Sequence, residues 1–341
     1  MLTFIGDVVL PHPCNGGEIL PGDLVVNLEA PITSNTIGWP DTVNLRTVRN
    51  HLCDTFGRPP IAACLGNNHV MDFGEIGLRD TMASLDAIGT VHFGAGARDT
   101  TIRFYRSLIH DDIKLGLLSF VCPTAHPVFA SDQHSGVSQL NEHAIREAAA
   151  LARAEGCERI VLNLHWGVED VSLPRPQDVA LARGLAMDGV FDLMIGHHAH
   201  CIQGWEVVNG RHLFFGLGNA IFPDIDVPCN FDNDGLPHGR YIKQQQYWNA
   251  RSLAVLFSPK DLGVQCWTIS SNGDRLNIVA RTADRYRLRI RVFDSYERRF
   301  ARRYMRDTWR KKLVNYARNP VLPRTRHIRS MYRIARESLG R

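Results

Sequence analysis

Apolar runs along the chain end, one after another, in polar residues. Leu2-Thr3-Phe4-Ile5 stops at Gly6-Asp7, Leu24-Val25-Val26-Asn27-Leu28 at Glu29, and Ile61-Ala62-Ala63-Cys64-Leu65 at Gly66-Asn67-Asn68-His69. Short runs of this kind read as buried strands. Arg159 to Leu164 and Val190 to Ile195 repeat the design, ending at His165-Trp166-Gly167 and Gly196-His197-His198-Ala199-His200. Between the runs, Gly74 to Ile88, Asn141 to Glu155 and Pro176 to Met187 carry apolar residues at helical spacing. Asn141 caps the second of these helices and Gly156 closes it. A further helix is expected over Val43 to Phe56, and paired strands over Arg103 to Ile109 and Ile113 to Val121. Strand, helix and strand in alternation is βαβ grammar, so the fold class is α/β. Asn209-Gly210 then joins Ile202 to Val208 with His212 to Phe215, the strongest hairpin signal in the chain. Leu253 to Phe257 and Gly263 to Ile269 complete an all-β stretch, and no internal repeat is visible.

At 341 residues and 44% hydrophobic composition the chain can bury a sizeable core, as one large domain or two smaller ones. It contains no apolar run of about 18 residues and no basic leader with a cleavage site, so a cytoplasmic location is expected. Eight cysteines without a CxxC pair suit reduced, buried thiols. Charge is unevenly placed. Residues 275–341 hold 21 Lys and Arg against 5 Asp and Glu, which with a whole-chain charge of +4 leaves the first 274 residues at about −12. Phe293, Tyr296, Phe300 and Tyr304 fall at helical spacing within this Arg-rich region, which predicts a basic amphipathic helix over Asp294 to Tyr316. The chain therefore divides into residues 1–280 and a basic, helical C-terminal extension, 281–341. Past Asn319-Pro320 either a short helix or disorder is expected. The extension can dock on the acidic body or lie on an anionic membrane surface at the inner face. Nucleic acid is not expected, because no recognised binding motif accompanies the charge.

The polar strand ends collect Asp7, Glu29, Asn68, His69, His165, His198 and His200. Open α/β sheets bind ligands at the carboxyl ends of their strands. On an extended segment His198 and His200 point to the same side. Two carboxylates, an amide oxygen and several imidazoles suit Mn²⁺, Zn²⁺ or Fe²⁺ better than the oxygen-seeking Mg²⁺ or Ca²⁺. Seven residues are too many for one ion. Two metals about 3.5–4 Å apart activate a bridging water and stabilise in-line displacement at phosphorus, which leaves one histidine to protonate the leaving oxygen. Singly each residue has a plainer reading: Asp7 as a turn or cap, Glu29 as a solvated strand end, Asn67 and Asn68 as turn formers, His165 as a packed side chain. Their recurrence at successive strand ends favours a site. Gly94-Ala95-Gly96 reads as a tight turn rather than a phosphate loop. Asp232-Asn233-Asp234-Gly235 lacks the remaining spacing and the terminal Glu of a calcium loop.

Phe4-Ile5-Gly6-Asp7, Asn27-Leu28-Glu29, Gly66-Asn67-Asn68-His69 with Asp72 and Gly74, Gly94-Ala95-Gly96, His165-Trp166-Gly167 with Glu169, Gly196 to His200 with Gln203, and Gly216-Leu217-Gly218-Asn219 resemble, in order, the motifs of the CapA family. That family is named for poly-gamma-glutamate capsule biosynthesis. The resemblance covers roughly residues 2–257 and implies a metallophosphatase-like four-layer α/β/β/α sandwich with two divalent metal ions on the shared edge of its sheets. It also implies roles: Asp7 and His200 for the first metal, Glu29 as bridge, Asn68, His165 and His198 for the second, and His69 as general acid. Asn67 and His197 are assigned to substrate. Metallophosphatases usually carry Asp-x-His at the first strand end, but this chain has Val9 there, and whether His12 compensates is open. The bridging position is Glu where the wider superfamily has Asp. The implied activity is phosphoester hydrolysis on a phosphorylated or anionic polymer in capsule or surface-polysaccharide synthesis. The alternative is a non-catalytic protein that binds metal or anionic polymer within a synthase complex.

Overall fold

The strands are apolar on both faces, and such strands must be covered on both sides. In β1 (Leu2–Val8), Leu2 and Phe4 enter one core while Ile5 and Val8 enter another, with an irregularity in the pairing between Phe4 and Asp7. In β10 (Leu193–His197), Leu193 and Ile195 join Leu2 and Phe4, whereas Met194 faces away.

The computed structural model describes residues 1–39, 43–96, 105–231, 237–280, 284–290 and 293–318. Numbered in chain order, one sheet runs β18 (Leu276–Ala280), β17 (Val264–Ser271), β16 (Arg251–Phe257), β1, β2 (Asp23–Leu28), β3 (Ala62–Cys64) and β4 (Val91–Phe93), with β13 (Asn219–Ile221) beside the end of β1. The other runs β11 (Gly204–Val208), β12 (Arg211–Gly216), β10, β9 (Arg159–His165), β7 (Ile113–Val121) and β6 (Tyr105–His110). Two ribbons, β5 (Ala95–Gly96) with β8 (Gly136–Val137) and β14 (Ile225–Phe231) with β15 (Pro237–Lys243), stand apart. Leu2, Phe4, Leu117, Val161, Ile195 and Phe257 fill the space between the sheets. Outside the first sheet lie α1 (Leu52–Phe56) and α2 (Gly74–Asp86), packed on Ile5, Leu24 and Val26. Outside the second lie α3 (Glu142–Ala154), α4 (Pro176–Met187) and α5 (Phe293–Arg318), packed on Leu162, Met194 and Phe215. The result is the four-layer α/β/β/α sandwich expected from the family resemblance.

Because the inter-sheet layer holds the two halves of the molecule together, Ile195→Ala is expected to cost about 2–5 kcal/mol in urea unfolding. Ile195 is fully buried. A loss below about 1 kcal/mol would mean that the sheets do not depend on packing there.

Two elements depart from expectation. The helix over Val43 to Phe56 shrinks to α1, because polar side chains and an isolated bridge to the Pro31 to Thr33 segment claim the backbone before it. Asn44 bonds both ways with the Trp39 backbone, Thr47 pairs with Pro31 and Thr33, and Asn50 Oδ1 accepts from Leu52 N. The apolar stripe of α5 is turned inward. Phe293, Tyr296 and Phe300 pack against the core of the second sheet, and the buried Tyr296 hydroxyl donates to Pro174 O at 2.8 Å. Gly94-Ala95-Gly96 contributes the β5 ribbon. The start of the Arg103 strand, the Asp232 to Gly235 segment, the 280/281 boundary on its C-terminal side and everything past residue 318 lie outside the described residues. Among the described residues, no helix is long and apolar enough to cross a membrane.

Candidate metal centre

Parallel register sets the strand-end residues side by side. Asp7 on β1 is paired with Asn27 on β2 and Asn219 on β13, while in the other sheet His165 on β9 is paired with His197 on β10. Two glycines permit this closeness. A Cβ on Gly6 would lie 1.8 Å from Gly218 O, and one on Gly196 2.1 Å from Phe215 O. Any other residue just before Asp7 or His197 would push the neighbouring backbone away.

The histidine run does not continue as an extended segment. β10 ends at His197, and His198 and His200 adopt left-handed backbone angles, φ 81° and 53°. Side chains other than glycine take this conformation at a cost, so surrounding contacts must hold it. Asn249 does so in part, donating from Nδ2 to His200 O at 2.7 Å. The two imidazoles thus reach the centre through a turn rather than through strand alternation.

Asp7, Glu29 and His200, all buried, each place a ligand atom within 4.8 Å of the others. Asn27 Nδ2 donates to Asp7 Oδ1 at 2.8 Å and to Glu29 Oε2 at 2.7 Å, so one carboxamide aligns both carboxylates. His197 Nδ1 lies 3.1 Å from Asp7 Oδ1. His200 Nδ1 lies 3.2 Å from Asp7 Oδ2 but directs its bond to Asn219 Oδ1, 2.9 Å away. On the other side of Glu29, His165 Nε2 is 2.7 Å from Asn68 Oδ1 and 3.8 Å from Glu29 Oε1, and the His165 and His198 rings are 4.8 Å apart. Asp7 Oδ2, Glu29 Oε1, His165 Nδ1 and His198 Nδ1 are buried without a hydrogen-bond partner. An unmet buried polar atom costs roughly 1–3 kcal/mol. Four such atoms in one cluster of carboxylates and imidazoles fit divalent cations of the Mn, Zn or Fe type.

The electrostatics of the cluster point the same way. Burial alone would raise Asp7, but His197 and His200 outweigh it and hold that carboxyl well below its usual range. Glu29 goes the other way, pushed well above its range by burial and then by the charge of Asp7. Burial and the adjacent His198 push His165 well down, and burial and His200 push His198 down to about 4. Both imidazoles are therefore neutral near pH 7, the form that binds metal.

The remaining predicted residues fall at defined places. His69 is 16% exposed by side chain, at the rim, with Nδ1 held 2.8 Å from Asp72 Oδ2. Asn67, expected at substrate, is wholly buried: Oδ1 accepts from His69 N and Val70 N, and Nδ2 donates to Leu28 O. Its carboxamide is consumed in shaping the loop that presents Asn68 and His69. His197 is buried against Asp7. Val9 packs with Ala30, Leu45 and Phe222, and His12, half-exposed beside Asp274, does not replace the missing imidazole. Asn27, Asn219 and Asn249 carry no role in the sequence reading. Asn27 and Asn219 both fall in the motifs that carry the family resemblance, and Asn27, two residues before Glu29, also shares that residue's face; Asn249 had no such signal.

Two packed sheets with carboxylates and imidazoles gathered at their strand ends give the chain a metallophosphatase-like fold with a candidate metal site. A family model described as "Bacterial capsule synthesis protein PGA_cap" matches residues 22–224, and the chain belongs to that family. It is 27% identical over 163 residues to the capsule biosynthesis protein CapA of Bacillus anthracis, covering 46% of this chain and 39% of that protein. It is 28% identical over 193 residues to a protein of Mycobacterium tuberculosis named "Probable polyglutamine synthesis accessory protein", covering 53% of this chain and 48% of that one. The matches thus span less than half the length of these relatives. Among solved structures it is similar to a hypothetical protein of Thermus thermophilus, at 13% identity and a TM-score of 0.43, over 82% of this chain and 99% of that chain.

Proposed function

We propose that the protein is a metal-dependent phosphoester hydrolase that acts on a phosphorylated or anionic polymer in capsule, poly-gamma-glutamate or surface-polysaccharide synthesis. The buried Asp7, Glu29 and His200 cluster, with Glu29 extending toward His165 and Asn68, carries this reading. Asp7, Glu29 and His200 would hold one divalent ion and Glu29, Asn68, His165 and His198 a second. When bound, the ions supply a nucleophilic water at neutral pH and charge stabilisation for displacement at phosphorus. The protein's own groups do the rest. Asn27 and His197 fix the Asp7 carboxylate, Asn219 fixes the His200 ring, and His69, oriented by Asp72, gives a proton to the leaving oxygen. Relatives named for capsule, PGA and polyglutamine synthesis support the polymer context.

Metal analysis of the purified chain beside turnover of a phosphomonoester and a phosphodiester tests the proposal. Two metals and metal-dependent turnover are expected. Val9 in an apolar cluster favours a second reading, a non-catalytic metal- or anionic-polymer-binding accessory of a synthase complex, for which one metal and no turnover are expected. His165→Ala and His198→Ala should each lose the second metal while keeping the fold, since strand-end ligands add little to core packing. Unchanged metal stoichiometry in both variants would contradict the ligand set.

A further inference from the structure

We propose that Lys243 and Lys311 form an anion-binding subsite beside the turn that carries the metal-centre histidines, with the side chain of Glu169 standing between the two ammonium groups. The proposal deepens the reading above and rests on it for the identity of the ligand as part of the substrate. Both lysines lie beyond residue 224, where the match to the family ends.

Lys243 ends β15 and Lys311 lies on α5, so two elements far apart in sequence bring their ammonium groups to one carboxylate. Each Nζ stands 3.6 Å from Glu169 Oε2. That is beyond hydrogen-bond range, and the Glu169 side chain is 42% exposed, so this carboxylate is held loosely. Lys311 is anchored separately, at 2.6 Å from the buried Asp170 Oδ2. Asp170 Oδ1 in turn accepts from Asn249 Nδ2, the group that also bonds His200 O. Lys311 is thereby tied to the turn that carries the metal-centre histidines. Partial burial would raise Glu169, yet Lys243, His200, His198 and Lys311 together hold it below its usual range.

The lysines open into a cleft of about 520 Å³, lined also by Tyr241, Gln246, Asn249, Asn315 and Asp170, whose two oxygens are taken up by Lys311 and Asn249. Ammonium groups beside carboxamides and a phenol suit a chain bearing repeated anionic groups with polar links between them. A substrate phosphate or carboxylate would displace Glu169, exchanging a loose contact for direct charge-assisted bonds. The neighbouring anionic group would then be held while the reacting one sits at the metals.

The test uses the full chain freed of metal by EDTA and titrated calorimetrically at low salt with pyrophosphate and, separately, with a glutamate tripeptide. Lys243→Gln should weaken binding about tenfold, the loss of roughly one charge-assisted bond. Glu169→Gln should tighten it, because the internal competitor is gone. Lys311→Gln should also weaken it, but that variant strands Asp170 and is read only where its melting curve matches wild type. Preference for pyrophosphate or for the peptide identifies the anion as phosphate or carboxylate. A folded Lys243→Gln protein that binds both probes like wild type, or a wild type that binds neither, overturns the subsite. Binding is measured without metal or turnover, so a failed hydrolase assay with Lys243-dependent binding would reject the proposed activity and leave the subsite standing.

Discussion

Glu29→Gln is expected to empty both metal positions at once and to lower phosphoester turnover by more than about 100-fold. The two oxygens of Glu29 face the two groups: Oε2 accepts from Asn27 beside Asp7, and Oε1 faces His165 without a bond. Gln keeps the volume but removes the charge and half the acceptor capacity. The metal-free protein should respond in the opposite sense. Burial and the charge of Asp7 raise the folded-state pKa of Glu29, so its ionised form opposes folding, and that penalty grows as pH rises past the unfolded-state value. Metal-free Glu29→Gln should therefore melt above metal-free wild type at pH 7, and added Mn²⁺ should raise its melting temperature little. A variant that still bound two ions per chain would remove Glu29 from the bridging position.

His69→Ala separates proton transfer from metal binding. A positioned general acid contributes about 10²–10⁴-fold in rate, so turnover should fall by that factor, most for poor leaving groups. Metal content should stay at the wild-type value, because His69 stands at the rim with Nδ1 occupied by Asp72 and, among the described residues, makes no hydrogen bond or ion pair with Asp7, Glu29 or His200. Asp72→Asn should give a smaller loss through the orientation of the same ring. Loss of metal from His69→Ala would place that ring among the ligands.

The α/β class and most strands were legible because a strand buried on both faces leaves a continuous apolar run, and the polar residue that ends it marks the sheet edge. Asp7, Glu29, Asn68, His165, His198 and His200 could be collected from those ends without knowledge of the packing. What the pattern could not show was how side chains are shared. Asn67 and Asn68 read alike, yet one is wholly buried and spends its carboxamide on backbone while the other meets His165. The turn at His198 and His200 depends on positive φ values that histidine does not advertise. Lys243 and Lys311 lie on a ribbon and a basic helix whose charge looks solvated in sequence. The docking of α5, through Tyr296 and through Asp307 bonded to Ser172, brings Lys311 to Asp170. The overlong helix over Val43 to Phe56 had the same origin, since pairing of Thr47 with Pro31 and Thr33 is a tertiary event.

Anomalous scattering from a crystal of the full chain soaked in Mn²⁺ bears most directly on the centre. Two peaks about 3.5–4 Å apart are predicted, one among Asp7, Glu29 and His200 and one among Glu29, Asn68, His165 and His198. Absence of any peak within this cluster, in a crystal whose fluorescence shows bound manganese, would contradict the account.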